Sequence, residues 1–203
     1  ASADRIKNGL KRDLSVSKSQ PSALASERFF TMLYKDHPYG NKMATDEMLD
    51  SYTAQKAKEF YTANFGAQRA AIYVAGNYNA AKVGQAIKAG FSSWIKGPAV
   101  SYPPAKAAVS DDIAVIDRPK AAQTVVFLGI PVVDPTSSDY TKLEVTNSLL
   151  GGSFGSRITT NIREDKGYTY SPYSAIQYRQ KNGVWYEKAD ITSESTGDAL
   201  KEI

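Results

Sequence analysis

GGSFGSRITTNIREDKGYTY, residues 151–170, contains glycine turns, a short helix and the first residues of an aromatic strand. Glycine adopts backbone conformations that other residues avoid, and Ser153 or Ser156 can N-cap the helix that follows the turn. Ile158 and Ile162 lie one turn apart and place their apolar side chains on one face of that helix. The stretch therefore predicts a tight turn with exposed backbone that leads into a short helix. The glycines of the turn are Gly151, Gly152 and Gly155.

The end of this helix predicts that an arginine and a tyrosine meet. Gly167 stands where a left-handed residue stops a helix and reverses the chain. The last helical turn carries Arg163, and the strand that follows begins with residues 168–170. We therefore expect Arg163 and Tyr170, seven residues apart, to point into one space.

The same stretch resembles the signature of the second, non-metal half of the pitrilysin/insulinase family of zinc peptidases. In that family a Gly-Gly turn is followed by Ser-Arg-apolar, and then by Leu/Ile-Arg-Glu-x-x-Gly-apolar-x-Tyr. The match is long and specific. The two parts read here Ser156-Arg157-Ile158 and Ile162-Arg163-Glu164-Asp165-Lys166-Gly167-Tyr168-Thr169-Tyr170.

The resemblance implies that this motif binds substrate. In the family the arginine and the tyrosine hold the substrate backbone opposite the metal, and these roles carry over to Arg163 and Tyr170 as the catalytic candidates. Guanidinium and phenol groups can donate hydrogen bonds to a peptide carbonyl in a partly dry cleft. A structural explanation is also available, because a helix dipole favours a cation in the last turn and tyrosine is common in strands. The implied substrate-binding residues are Gly151, Gly152, Ser153, Phe154, Arg163 and Tyr170.

Length and composition are those of a globular protein. The chain has 203 residues, of which 42% are hydrophobic and 23% charged, and its formal net charge is +4. No apolar run approaches membrane-spanning length, and the lysines are scattered among acids, so we expect neither a membrane span nor a nucleic-acid partner. The lack of cysteine excludes disulfides and thiolate metal sites, and the single histidine, His37, cannot build a histidine zinc site alone.

The pattern of helices and strands, together with the resemblance, predicts an α+β fold of two homologous units. Each unit is a largely antiparallel sheet covered by helices, and both are expected to be truncated here. Residues 1–97 are predicted to be the C-terminal part of the first, metal-binding unit, with one buried strand over residues 67–76. Residues 98–110 contain several prolines and favour an extended linker. Residues 111–203 are predicted to be the N-terminal part of the second unit.

The second unit is predicted to contain two strands and a hairpin. The strands cover residues 113–117 and 123–130. The hairpin pairs residues 168–179 with residues 184–192 around Lys181-Asn182-Gly183, in which Asn-Gly is a strong signal for a tight turn.

Helical periodicity and capping residues predict the helices. Three phrases extend the resemblance into the first half. His37-Pro38-Tyr39-Gly40 follows the first helix pair. Val-Ala-Gly-Asn at residues 74–77 and Phe-Ser-Ser-Trp at residues 91–94 resemble the closing segment of the metal-binding half. The predicted helices cover residues 4–18, 21–34, 45–49, 53–64, 79–94 and 139–150, and a last helix begins at Thr196.

Zinc in this family is held by an inverted His-x-x-Glu-His helix and a distal glutamate. The chain contains no His-x-x-Glu-His phrase, which the resemblance places upstream of Ala1, so this chain alone is expected to bind no zinc and to be inactive. In the family the distal glutamate lies on the first helix. Aligning the family pattern at Pro21 places Asp13 at the position of this glutamate, whereas aligning it at Asp4-Arg5 places Lys11 there. Aspartate can bind zinc with a shorter reach, whereas a charged lysine cannot. A solvated helix charge is the simpler explanation of Asp13.

Three functions remain open. The first is part of a zinc-dependent peptidase that binds a peptide or small protein through Arg163 and Tyr170. The second is a non-catalytic subunit or scaffold of the same fold, in a homo- or heterodimer with a family subunit. The third is a general interaction module, favoured if both residues are buried in core contacts. The resemblance to bacterial members and the lack of cysteine favour a periplasmic location, with the cytoplasm as the alternative.

GGSFGS itself excludes two other classes of site. It lacks the Gly-Lys-Ser/Thr of a phosphate-binding loop and the Gly-x-Ser-x-Gly order of a serine hydrolase.

Overall fold

A computed structural model of the chain describes residues 2–109 and 111–203. Ala1 and Ser110, at the start of the predicted first unit and the end of the predicted linker, lie outside the described residues. The helices are α1 (Ser2–Ser19), α2 (Pro21–Tyr34), α3 (Asp46–Ser51), α4 (Ala54–Asn64), α5 (Ala80–Phe91), α6 (Tyr140–Asn147) and α7 (Thr196–Glu202), and the strands are β1 (Gln123–Val132), β2 (Tyr173–Arg179) and β3 (Asn182–Thr192).

The chain forms two compact units, each assembled from two segments of sequence. The first unit comprises Ala1–Leu10 and Asp46–Pro103, and the second comprises Lys11–Thr45 and Pro104–Ile203. Helix α1 therefore contributes its start to one unit and its end to the other. The homology of the two units and the linker over residues 98–110 stay predictions.

The second unit is built on an antiparallel sheet in which β3 is the central strand. The strand order is β1-β3-β2, and β3 is antiparallel to both neighbours. This sheet and the helices around it confirm the predicted α+β class. In the register, Gln123 lies opposite Thr192, Val132 opposite Gly183, Tyr173 opposite Lys188, and Arg179 opposite Asn182.

Side chains alternate along β3 and fill two cores, one on each face of the sheet. On one face the strand packs against α7 and the helical segment that follows the glycine turn, and on the other face it packs against α2. The buried members of the first core are Ile158, Ile162, Ala189, Ile191 and Ala199, and those of the second are Phe30, Leu33, Tyr34 and Val184.

The predicted helices are present, and their ends have local causes. Pro21 occupies the first turn of α2, where an N–H would have no partner within the helix. Thr53 Oγ1 accepts a hydrogen bond from Lys56 N–H at 3.1 Å and caps α4. Asn79 Oδ1 accepts from Lys82 N–H at 3.0 Å and caps α5. None of the described helices has the length and apolar character needed to cross a membrane.

Two predicted strands are wrong. Residues 67–76 form a 3₁₀ turn, Ala67–Arg69, followed by irregular chain in which Tyr73 is 92% exposed. Residues 113–117 are also irregular and exposed. Both segments have the apolar composition of strands, but a strand needs a neighbour to accept its backbone hydrogen bonds. No described strand pairs with either segment.

The hairpin is confirmed with different boundaries. Strand β2 begins at Tyr173 rather than at residue 168. The turn is formed by Gln180 and Lys181, and Lys181 adopts a left-handed φ of 53°. Gly183 is a paired strand residue, and a Cβ there would lie 2.5 Å from the carbonyl oxygen of Val133. The glycine therefore permits a close approach of two backbones instead of forming the turn.

Replacing a buried isoleucine of the sheet is expected to destabilise the chain far more than replacing an exposed one. Ile191 is fully buried in β3, whereas Ile130 in β1 is 53% exposed. Ile191→Ala should lower the free energy of unfolding by about 3 kcal/mol, because it leaves a cavity in the first core. Ile130→Ala should lower it by less than about 1 kcal/mol. Urea unfolding followed by circular dichroism measures both, and equal losses would contradict the assigned packing.

Candidate functional site

Two π-helical segments, Ser148–Gly152 and Thr159–Asp165, shape the glycine-rich stretch. The first continues α6, which ends at Asn147, so the helix predicted over residues 139–150 is present with a wider last turn. In a π-helical turn each N–H bonds to the carbonyl five residues earlier, and the extra residue changes the direction of the side chains that follow. Such turns occur often at functional sites.

The start and the end of the second segment follow from its sequence. Ser156 Oγ accepts a hydrogen bond from Thr159 N–H at 3.4 Å and donates to Thr159 Oγ1 at 3.0 Å. Ser156 rather than Ser153 therefore caps the helical turn at residues 157–158 that leads into this segment. Gly167 has a left-handed φ of 66°, as predicted, and its N–H donates to the carbonyl of Arg163 at 3.1 Å. The chain reverses at this glycine.

Arg163 lies between two aromatic rings. Its guanidinium carbon is 4.6 Å from the centroid of the Phe154 ring and 4.6 Å from that of Tyr170. The negative face of an aromatic ring attracts a cation at this distance. Arg163 Nε is also 3.0 Å from a carboxylate oxygen of Glu164. The Arg163 side chain is 24% exposed and Tyr170 is 77% exposed, so this pair of side chains lies at the surface.

A depression of about 240 Å³ opens beside this arginine and is called the Arg163 depression below. The glycine turn forms one wall of it, and the start of β2 forms another. It combines a guanidinium group, an aromatic ring and exposed backbone. Its lining residues are Gly151, Gly152, Ser153, Phe154, Thr159, Arg163, Pro172 and Tyr173.

The structure brings the predicted site residues together. Five of the six implied substrate-binding residues line the depression, and the sixth, Tyr170, stacks on Arg163. Neither Arg163 nor Tyr170 belongs to a core cluster, so the condition that favoured a general interaction module is not met. The role of these residues in substrate binding stays a prediction.

Sequence reasoning missed three lining residues, Thr159, Pro172 and Tyr173. Pro172 and Tyr173 were hidden by the early start predicted for the strand. Thr159 stands three residues after Ser156, which is the spacing at which a capping serine meets the helix, and that spacing was the available signal.

The family model for the peptidase M16 inactive domain matches residues 51–203. The chain belongs to the M16, or pitrilysin/insulinase, family. This M16 chain is 25% identical, over 98% of its length, to an uncharacterized zinc protease of Streptomyces coelicolor, and 26% identical over 85% of its length to one of Mycobacterium leprae. It spans 45% and 40% of those two proteins.

A solved structure supports the same placement. The peptidase M16 inactive domain from Pseudomonas fluorescens matches 98% of this chain with a TM-score of 0.82 and 29% identity, and the match covers 49% of that chain.

The described part of this M16 chain does not fit a zinc ion. Among its residues no group of three or more histidine, aspartate or glutamate side chains is placed to hold a metal. Asp13 is exposed on α1. His37 Nδ1 accepts a hydrogen bond from Tyr39 N–H at 3.2 Å, and the centroids of the His37 and Tyr39 rings are 4.6 Å apart. His37 therefore supports the loop after α2.

A buried carboxyl group, Glu187, lies beneath the glycine turn of the M16 chain. Glu187 is fully buried, and neither of its oxygens has a hydrogen-bond partner among the described residues. Burial raises the pKa of Glu187 to about 8. A Cβ on Gly151 would lie 3.0 Å from Glu187 Oε2 and 2.5 Å from Ser174 Oγ. The turn can therefore rest on the sheet only because residue 151 has no side chain.

Glu187 had no role in the sequence analysis. The available signal was its spacing from Ala189 and Ile191, which lie two and four positions further along β3. This spacing places the acid on the same strand face as these two apolar residues.

Adding one methyl group to the turn is expected to disturb it. Gly151→Ala should lower the free energy of unfolding by about 2 kcal/mol, because the new Cβ forces Ser174 away from its 2.7 Å hydrogen bond to Asn147. Gly155→Ala is the matched control, since a Cβ there meets nothing within 4 Å. Urea unfolding compares the two variants, and a neutral Gly151→Ala would show that the turn does not touch the sheet.

The stability of the chain should depend on pH through Glu187. A glutamate ionises near 4.5 in the unfolded chain, whereas the pKa of Glu187 is about 8 in the folded chain. The folded state therefore binds the proton more tightly, and its stability is lost as pH rises through this window, by up to about 4 kcal/mol. Glu187→Gln should remove that decline. Urea unfolding of both proteins at about pH 5 and about pH 8 measures it, and parallel declines would exclude Glu187 as the cause.

Proposed function

We propose that this chain supplies the substrate-binding, non-metal half of the cleft in a zinc-dependent peptidase of the M16 family. Arg163 and Tyr170 hold the backbone of a bound peptide, and the metal site is contributed by other parts of the protein or by a partner subunit. The alternative is a non-catalytic subunit or scaffold of the same fold that binds peptides or a catalytic subunit through the same surface. A periplasmic location stays a prediction.

The position of the Arg163 guanidinium carries the proposal. It is held by Phe154 and Tyr170 at the edge of a depression whose wall exposes backbone at Gly152. Exposed backbone N–H and carbonyl groups can pair with an extended peptide. The site therefore offers a fixed cation and backbone partners side by side.

The chemistry of the arginine suits a peptide carbonyl. Its Nε is occupied by Glu164, so the two terminal amino groups of the guanidinium are left to donate. Their planar arrangement favours two acceptors in one direction, which an extended peptide or a carboxylate provides. The hydroxyl of Tyr170 is a further donor at the same edge.

The comparisons support the family, and the residues of the depression support the binding role. The matched family model describes an inactive domain, and the two relatives named above are zinc proteases. Both candidate functions use the same peptide-binding surface. The zinc content of the full-length gene product distinguishes them.

Removal of the arginine is expected to weaken peptide binding. Arg163→Ala should raise the Kd for a fluorescein-labelled, unstructured peptide about tenfold, because its charge-assisted hydrogen bonds are lost. Tyr170→Phe keeps the ring beside Arg163 and removes only the hydroxyl, so a rise of about threefold is expected. Fluorescence anisotropy measures both. Arg157→Ala is the matched control, since Arg157 is exposed two residues before Thr159 and does not line the depression.

The full-length gene product separates the two functions. Its zinc content and its peptide hydrolysis are measured with and without a co-expressed family subunit. Stoichiometric zinc and hydrolysis that falls in both variants support the peptidase. Hydrolysis that appears only with the second subunit, and falls in both variants, supports the non-catalytic subunit. If Arg163→Ala and Tyr170→Phe both bind the peptide with wild-type affinity, the proposed binding role of these two residues is overturned.

A further inference from the structure

A second, larger cavity lies on the α2 side of the sheet, opposite the face that carries the glycine turn. Its volume is about 540 Å³, a size common among ligand sites. The end of α1, the first turns of α2 and the strands of the sheet surround it. It is called the lysine groove below, after the charged members of its lining. The lining residues that matter here are Phe30, Lys42, Phe127, Tyr173, Tyr186 and Lys188.

The charges of the lysine groove have one sign. Lys42 and Lys188 line it, and no aspartate or glutamate does. In the described chain neither lysine forms an ion pair with a carboxylate. Lys42 Nζ lies 4.5 Å from the centroid of the Phe30 ring. Burial and the nearby charge of Arg179 lower the pKa of Lys42, and the attraction of an anion in the groove would favour the charged form of this lysine.

A third cation lies against the same ring. The guanidinium carbon of Arg179 is 5.6 Å from the centroid of Phe30 and 4.7 Å from that of Tyr39. Arg179 Nε is buried and has no hydrogen-bond partner among the described residues. Cations gathered without carboxylates around a low-dielectric wall produce a positive potential that attracts an anion.

The start of α2 adds to this potential. Ser22 and Ala23, in the first turn of the helix, line the groove. The N-cap residue, Gln20, makes no side-chain cap, and the first turn carries no acidic residue. The positive end of the helix dipole is therefore not offset within its own first turn.

One residue joins the two cavities. Tyr173, at the start of the edge strand β2, lines both the Arg163 depression and the lysine groove. We propose that the lysine groove binds an aspartate or glutamate side chain of the same peptide whose backbone lies over the Arg163 depression. The peptide crosses the edge of the sheet at Tyr173. The inference rests on the proposed function, and it makes acidic peptides the preferred substrate class.

The aromatic surface of the groove fits such a side chain. The rings of Phe127 and Tyr186 are stacked with centroids 4.9 Å apart, and Lys188 lies directly opposite Phe127 across the β1–β3 pair. The methylene groups of a glutamate can pack on these rings while its carboxylate meets the lysine ammonium groups.

The test uses two sets of labelled decapeptides. A neutral parent peptide carries a single glutamate that is moved through every position, and the second set carries glutamine instead. Anisotropy titrations at low ionic strength give the ratio of the two affinities at each position. The glutamate peptide should bind about fivefold more tightly at one or two positions. The Lys42→Met/Lys188→Met variant should bring that ratio close to one without changing the affinity for glutamine peptides.

Lys201→Met is the control. Lys201 lies on α7, is 79% exposed and pairs with Asp198, so its loss should leave the ratio unchanged. Thermal unfolding confirms that each variant is folded. Equal binding of both peptide sets at every position, or a ratio that the double variant does not change, would overturn the proposal. A double variant that also loses glutamine peptides would overturn it too, because the lysines would then act on binding in general.

Failure of the proposed function gives a different result. Arg163→Ala is expected to weaken glutamate and glutamine peptides equally and to leave their ratio intact. The peptide affinity of Arg163→Ala could equal that of the wild type while the ratio of glutamate to glutamine affinities still depends on the lysines. That result would show that the peptide does not bind at the Arg163 depression. The acid-binding groove would then stand without it.

Discussion

The pairing of β3 with two neighbours is the constraint on which the second unit depends. Its backbone is hydrogen-bonded on both sides, and its side chains alternate between two cores. A slip of one residue would move Ala189 and Ile191 out of the first core and turn Lys188 and Asp190 into it. Burial on both faces therefore allows only one register, and every feature attached to β3 takes its position from that register.

The two cavities are examples of such features. The glycine turn rests on the face of β3 that carries Glu187, and the lysine groove opens on the face that carries Lys188, one residue along the strand. Tyr173 stands at the edge between them, opposite Lys188 in the β2–β3 pair. Backbone pairing thus places the two cavities on opposite faces of one strand. A substitution that displaces β3 would therefore change the shape of both cavities.

Local signals in the sequence were sufficient for most helices and for the core of the motif. Pro21 and Gly167 act within one turn of the chain, so their effect needs no knowledge of distant residues. The meeting of Arg163 and Tyr170 followed from that glycine stop. The strand predicted over residues 67–76 was wrong because apolar composition does not indicate whether a neighbouring strand is present. Glu187 was missed because the depth of a strand residue depends on what covers it, and the covering turn is distant in sequence.

The aromatic rings beside Arg163 have a further consequence for conformational freedom. A mobile arginine gives up rotamer entropy, on the order of 2 kcal/mol, when a ligand fixes it. Arg163 is already held between Phe154 and Tyr170 and by Glu164, so much of that freedom is lost when the chain folds. A ligand that accepts its remaining N–H groups meets donors that are ordered in advance. For such a ligand the two rings would contribute to affinity even where they do not touch it.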